Sequence, residues 1–301
     1  MDKEFDVLRI VKDHQNVAKI YALQKRKVYG GWEGRELMEY CPIGLFDYMK
    51  ALEKDKKFLP ESDIWEIMYD LVSALGFMHK QNPPLVHRDI KLENIMQGKD
   101  GRWKFIDFGS VVFGTIKLKN KDDVDRAEQD IEKYTTQMYR APEMVDFFGV
   151  EEITEKTDIW ALGCVLYTLM FMKQPFLNAS KLAILGAKYT IDEVNMVCCL
   201  TAKRLGAKYT IPPRHRYSPE LVALLKSMLT AEPAKRASAV DLFKVIKPKV
   251  GKRVPHMAQT IASNFKDEYE ASDEDDDDDD DEFDDEVITK VSVGDGMWRE
   301  V

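Results

Sequence analysis

Asp89, Lys91, Asn94 and Asp107 are the residues whose types and spacing suit a definite chemistry. That chemistry is transfer of a phosphoryl group from magnesium-bound ATP to a hydroxyl. Asp89, in the run His87-Arg88-Asp89, can accept the proton of an attacking hydroxyl. Asn94 and, thirteen residues later, Asp107 at the head of Asp107-Phe108-Gly109 offer oxygens to metal ions that bridge the phosphates. Lys91 can reach the transferring group and offset its developing charge. The reaction asks for in-line geometry more than for unusual groups, so fixed spacing on rigid loops is what matters. Taken singly, each short motif reads equally well as a solvated aspartate in a turn. In order, between two readable strands, they make chance a poor account.

The flanking elements must hold these loops in place. Ile64, Ile67, Met68, Leu71, Val72, Leu75 and Met78 recur at three and four, which predicts a helix after Pro60 and Ser62. It leads through Leu85-Val86 to the Asp89 loop, and Trp103-Lys104-Phe105-Ile106 reads as the strand that delivers Asp107. Leu221, Leu224, Leu225, Met228 and Leu229 predict a further helix, and Ala239, Leu242, Phe243 and Ile246 a last one. The nearly apolar run from Ile159 to Met172 is short of the ~18 residues that span a bilayer, so it reads as a buried helix.

Further motifs extend the pattern. Ala141-Pro142-Glu143 closes the segment that Asp107 opens, Asp158 heads Asp158-Ile159-Trp160-Ala161-Leu162-Gly163, and Arg236 stands in Ala234-Lys235-Arg236-Ala237-Ser238. With the loop motifs, these residues resemble the catalytic domain of protein kinases. The resemblance implies a two-lobed α+β fold, mostly its helical large lobe, with ATP and Mg2+ as cofactors and a protein as substrate. It pairs Glu143 with Arg236, anchors the catalytic loop through Asp158 and packs His87 beneath Phe108. Thr136 resembles the threonine that contacts Asp89 and Lys91 in serine/threonine kinases. Arg88 would face a phosphate on the activation segment, on Thr115 or Thr135. Met38-Glu39-Tyr40-Cys41 resembles the hinge, with the Glu39 carbonyl and Cys41 amide toward adenine and Met38 guarding the pocket behind; from the residues alone it is equally a strand-to-helix turn.

A finer resemblance is to the Numb-associated kinase family, which includes adaptor-associated and cyclin-G-associated kinases. Glu128-Gln129-Asp130-Ile131-Glu132-Lys133-Tyr134-Thr135-Thr136, Met138-Tyr139-Arg140-Ala141-Pro142-Glu143-Met144, Asp107-Phe108-Gly109-Ser110 and Gly206-Ala207-Lys208-Tyr209-Thr210-Ile211-Pro212-Pro213 carry it. It covers roughly residues 4–247. It implies substrates on clathrin-adaptor or other vesicle-traffic proteins.

The front of the chain departs from that family. Glu4 falls where the family places the helix glutamate that pairs with the ATP-binding lysine, yet no Gly-x-Gly-x-x-Gly stands upstream, and Lys3 adjoins Glu4 too closely to be that lysine. The expectation is a truncated small lobe over residues 1–40, with one helix and a two-stranded hairpin, followed by a large lobe over 41–248. Either the sequence is an incomplete version of an active kinase, or a short protein uses a kinase lobe as a catalytically silent scaffold that binds protein partners. The complete catalytic loop favours the first. Leu185-Gly186-Ala187-Lys188-Tyr189-Thr190-Ile191 recurs letter for letter at 205–211, a local duplication too small for a solenoid repeat.

Composition bounds the rest. With 45% hydrophobic and 32% charged residues, the chain can bury a sizeable core. Cysteines at 41, 164, 198 and 199 show neither a disulfide framework nor zinc-site spacing, which fits a reducing compartment, and the charged start Met1-Asp2-Lys3-Glu4 is unlike a signal peptide. A cytoplasmic location is the expectation. Residues 267–286 hold sixteen acidic side chains and no basic one; without them the formal −9 becomes +7. The region 249–301 therefore reads as a disordered acidic tail, a solvating segment or an arm for a basic partner. Nucleic-acid binding by the basic body has no arginine-rich helix or stacking motif behind it.

Overall fold

Asp158 and Asp70, two carboxylates with no solvent exposure, organise how the helices of this α+β fold meet its strands. The computed structural model describes residues 2–189, 216–251 and 288–290. In chain order the helices are α1 (Asp2–Val11), α2 (Leu45–Lys54), α3 (Glu61–His79), α4 (Lys121–Tyr134), α5 (Pro142–Val145), α6 (Lys156–Phe171), α7 (Lys181–Leu185), α8 (Pro219–Met228) and α9 (Ala239–Ile246). The strands are β1 (Ile20–Val28), β2 (Gly31–Met38), β3 (Ile43–Gly44), β4 (Leu85–Val86), β5 (Ile95–Gln97), β6 (Trp103–Phe105), β7 (Val112–Phe113), β8 (Ile116–Lys117), β9 (Glu152–Ile153) and β10 (Ile288–Lys290).

The helical body forms as the apolar spacing predicts. Ile64, Ile67, Met68, Leu71, Val72, Leu75 and Met78 of α3 are all fully buried, and α6 is buried on every face from Thr157 to Phe171. α6 ends at Met172, whose left-handed backbone (φ 57°) caps it. Gly163 lets α8 lie close against α6, because a Cβ there would meet the Leu229 Cδ2 at 2.8 Å. α9 opens with a capping box, Ser238 and Asp241 each bonding the other's backbone amide. The Arg236 guanidinium, 1% exposed, donates to both carboxylate oxygens of Glu143 at 2.7 and 2.9 Å, and so ties the segment after α8 to α5.

Asp70 fixes the strands to the helices. Its Oδ2 accepts from the Trp103 amide at 3.0 Å, holding the start of β6 against α3. β6 pairs antiparallel with β5, Phe105 opposite Ile95, and β5 pairs with β3. Backbone bonds from Phe105 to Asn16 and from Ala18 to Phe105 fasten β6 to the turn between α1 and β1.

The small sheet departs from the sequence expectation. β1 and β2 form the expected hairpin, but β10 adds a third strand along the other edge of β1, with Ala22 opposite Lys290 and Gln24 opposite Ile288. The expectations of a two-stranded small lobe and of a tail without structure are corrected at these three residues. The reason is local: Val287-Ile288-Thr289 are β-branched where the acidic run ends, and an open strand edge presents unpaired amides and carbonyls to such a segment. The acidic run 267–286 and the second repeat copy at 205–211 lie outside the described residues. In the first copy, Tyr189 is buried and lies edge-on to Tyr167 and Phe176 at centroid distances of 5.6 and 6.1 Å.

Asp158, on the first turn of α6, accepts from the backbone amides of His87 and Arg88, each at 2.8 Å, and bonds the His79 Nε2 at 2.9 Å. Burial alone would raise its pKa; the His79 bond and charge, the nearby His87 and the Arg88 amide outweigh this and hold it below the usual carboxylate range. Replacing Asp158 by Asn should cost about 3–5 kcal/mol of stability in a urea or thermal melt, since it removes the anion from three buried partners. A variant that melts like the wild type would refute the anchor. A group whose folded pKa is depressed stabilises above its unfolded pKa, and loses that contribution as the pH falls toward the folded value. Below about pH 4, wild-type stability should therefore fall more steeply than that of Asp158→Asn.

Candidate active site

Asp89 sits on a loop whose geometry is strained and then secured. Arg88, just before it, has φ 69°, a left-handed conformation that costs a side-chain-bearing residue about 1–2 kcal/mol. The Asp158 bonds described above hold it there. Three groups converge on the Asp89 carboxylate. The Thr136 hydroxyl donates to Oδ1 at 2.7 Å and the Thr136 amide to the same oxygen at 3.2 Å. The Lys91 Nζ donates to Oδ2 at 2.7 Å and to the Thr136 Oγ1 at 3.2 Å. The Asn94 Nδ2 donates to Oδ2 at 3.2 Å and to the Asp89 carbonyl at 3.0 Å. A carboxylate held by three partners at 8% exposure has its orientation fixed before any substrate arrives.

Asn94 and Asp107 reach the same region through the β5–β6 hairpin. Asn94 directly precedes β5, Asp107 follows β6 by one residue, and the Ile106 amide donates to the Asn94 carbonyl at 3.2 Å. The Asp107 side chain is exposed and accepts from the Gly109 amide at 2.9 Å. Because the Asn94 nitrogen is committed to Asp89, its oxygen is the atom left for a cation. One carboxylate and one amide oxygen make a hard donor pair. Such a pair fits magnesium, which binds through few protein ligands and takes the rest from phosphates and water. Among the described residues no group of three His, Cys, Asp or Glu side chains is placed to hold a metal without such help. Beneath this site His87 packs against Phe108 and Phe105 at centroid distances of 5.5 and 5.1 Å, and burial lowers its pKa.

Glu4 of α1 lies over the same motif, its Oε1 3.1 Å from where a Cβ would stand on Gly109. Glu36 of β2 completes an acidic cluster that the sequence reading missed. Its pKa is raised, first by burial and then by the charges of Glu4 and Asp107. Strand alternation puts Glu36 and Met38 on one face of β2, and that two-residue step from Met38 was the available signal.

The hinge segment follows β2. The Glu39 amide donates to the Lys19 carbonyl at 2.7 Å, and the Glu39 carboxylate accepts from the Lys104 Nζ at 2.6 and 2.8 Å. This side-chain tie between hinge and β6 was not read from the sequence, because Lys104 stands at a strand position where only the fold brings Glu39 near. Cys41 is buried, and its thiol is pushed up to about 11 by that burial.

Arg88 differs from expectation. Its guanidinium, 2% exposed, pairs with the Asp130 carboxylate of α4, and its Nε donates to the Ser110 carbonyl at 2.7 Å. The two threonines suggested as phosphate carriers are engaged elsewhere. The Thr135 hydroxyl donates to the Ile131 carbonyl at 2.6 Å and accepts from the Arg140 Nε at 2.8 Å, while Thr115 faces the Glu152 carboxylate at 3.4 Å. In this structure the carboxylate facing Arg88 comes from α4, a helix that the apolar spacing does not announce.

The protein kinase domain family matches residues 1–245. A probable serine/threonine-protein kinase of Dictyostelium discoideum is 36% identical over 242 residues, which cover 79% of this chain and 20% of that protein. Actin-regulating kinase 1 of Saccharomyces cerevisiae is 34% identical over 247 residues, 81% of this chain and 35% of its own. The actin-regulating kinase PRK1 of the same yeast is 33% identical over 246 residues, 81% of this chain and 28% of its own. The chain thus spans between a fifth and about a third of the length of these relatives. By its matched residues, its α+β fold and its catalytic-loop geometry, this chain belongs to the protein kinase domain family.

Proposed function

We propose that the protein transfers the γ-phosphoryl group of ATP to serine or threonine hydroxyls of protein substrates. The observation that carries this reading is the convergence of Thr136, Lys91 and Asn94 on the Asp89 carboxylate. In it, Asp89 orients the substrate hydroxyl and accepts its proton. Lys91 faces Asp89 on one side and the incoming phosphoryl group on the other, spreading the negative charge that develops there. Thr136 fixes the segment on which a substrate peptide lies and favours an acceptor hydroxyl on a short side chain. Asn94 and Asp107 would hold magnesium, which when bound neutralises the phosphate oxygens. The Glu39 carbonyl and Cys41 amide offer an acceptor and a donor to the adenine edge, with Met38 beside them. Glu4 of α1 would position the phosphate-gripping lysine.

The finer assignment is to the Numb-associated group. Its support is the Glu128–Thr136 run, which forms the end of α4 and delivers Thr136 to Asp89, together with relatives whose names are actin-regulating kinases. On that reading the substrates are proteins of vesicle traffic or the cytoskeleton, a clathrin-adaptor threonine among them. Among the described residues no helix is long and apolar enough to cross a membrane.

Two measurements test the proposal. In the full-length protein, Asp89→Asn should lower phosphate transfer from labelled ATP to a threonine peptide library by about a thousandfold or more, with little change in KM for ATP. Transfer that survives this change would remove Asp89 from the chemistry, and no transfer by the wild type would favour the scaffold reading. Separately, magnesium-ATP should raise the melting temperature of the wild type but not of Asp107→Asn, a readout that needs no turnover. Equal shifts in both would show that Asp107 does not hold the metal.

A further inference from the structure

We propose that the outer edge of β1 is the docking seat for the acidic tail of this same chain, with β10 as the clip and Lys25-Arg26-Lys27 as the electrostatic contact. This docking does not depend on the kinase reading; it concerns what completes the small sheet.

The backbone supplies the first observation. Ala22, Leu23 and Gln24 of β1 lie opposite Lys290, Thr289 and Ile288, an antiparallel ladder on the edge that β2 leaves open. Main-chain pairing of this kind accepts extended segments of many sequences, so it explains attachment but not choice. A two-stranded hairpin is marginal by itself, and β1 and β2 gain from a third strand. The ladder also reaches toward the site, since Leu23, opposite Thr289 on one side, is opposite Glu36 of β2 on the other.

Charge supplies the choice. From Lys19 to Arg35 the hairpin carries five cations, Lys19, Lys25, Arg26, Lys27 and Arg35, and one carboxylate, Glu33. That carboxylate lies 3.3 Å from the Arg35 guanidinium. Three of the cations are consecutive on β1 just beyond Gln24, with Lys27 exposed and Lys25 and Arg26 half-buried. The antiparallel direction aims the start of β10 toward that Lys25 end. Glu286, Asp285 and Asp284 stand two to four residues before Ile288, so the chain can carry them no more than ~14 Å from it. Such separations lie well within the ~30 Å reach of charge at about 10 mM salt and far outside the ~3 Å reach at about 1 M. Behind these three the acidic run continues to Asp267, sixteen acidic side chains in all over 267–286. A basic strand end thus selects the one acidic run of this chain, and the covalent tether makes the encounter intramolecular.

The test uses the full chain at low protein concentration, with hydrogen exchange read peptide by peptide. The first variant combines Ile288→Pro with Thr289→Pro, because one of two successive strand amides faces the neighbouring strand and proline donates from neither. At about 10 mM salt, amides of 20–28 should exchange at least about tenfold more slowly in the wild type than in that variant. About 1 M salt should bring the two proteins within about twofold. Combining Lys25→Glu, Arg26→Glu and Lys27→Glu should also abolish the protection. Adding Asp284→Lys, Asp285→Lys and Glu286→Lys to those three should restore it, which a merely damaged hairpin would not allow. Amides of α3 and α6 should stay protected throughout, as the check that the body is folded. Equal exchange in the wild type and the proline variant, or protection that survives both salt and charge reversal, overturns the proposal. So does protection that rises with protein concentration alongside a dimer mass in light scattering, because a second copy then supplies the strand.

Discussion

The Asp158 carboxylate is the point on which the rest of the site depends. It lies on a helix with no solvent exposure, and it spends that buried charge on two consecutive amides of a loop whose second residue, Arg88, has a left-handed backbone. A single aspartate so placed does three things at once. It offsets the strain at Arg88, fixes the direction in which Asp89 leaves the loop, and locks α6 to α3 through His79. Burying a charge is costly unless every lone pair finds a donor, so the arrangement is stable only when loop and helices are all in place. Loop geometry and core packing thus stand or fall together.

From that anchor, order spreads outward through polar contacts of decreasing burial. Asp89 is held by Thr136, Lys91 and Asn94; Arg88 is held by Asp130 and Ser110. Lys91 and Asn94 lie on the loop itself, whereas Thr136, Asp130 and Ser110 reach it from farther along the chain, all three from the segment between Asp107 and Glu143. At its far end the Arg236–Glu143 pair fastens the same segment to the body, with Arg236 also 5.2 Å from the Trp160 ring centroid. The segment from Asp107 to Glu143 is therefore pinned at both ends and in the middle.

Much of this could be read from the residues. Asp89, Asn94 and Asp107 announce themselves by chemistry and spacing, and the helices α3, α6, α8 and α9 by apolar periodicity, because burial imposes a 3.6-residue repeat on any helix that faces a core. The pairing of Glu143 with Arg236 followed from family resemblance alone; ninety-three residues separate them and no local pattern links them. What escaped was long-range and polar. α4 carries only two buried residues, Ala127 and Ile131, too few to stand out among its charges, so the helix that brings Asp130 to Arg88 had no apolar signature. The Lys104–Glu39 tie and the strand at 288–290 escaped for the same reason: ion pairs and edge pairing depend on which backbones the fold brings together, and strand propensity is set more by context than by residue type.

The acidic cluster of Glu4, Glu36 and Asp107 shows why such features matter beyond stability. Burial is the first cause of the raised Glu36 pKa, and the like charges of Glu4 and Asp107 add to it. A fold optimised only for stability would replace one of them. Keeping all three leaves a concentrated negative field at the mouth of the site, beside the Asp107 oxygens suited to a hard cation. The three carboxylates therefore favour positive over negative charge beside Asp107, while the catalytic loop is held separately by Asp158.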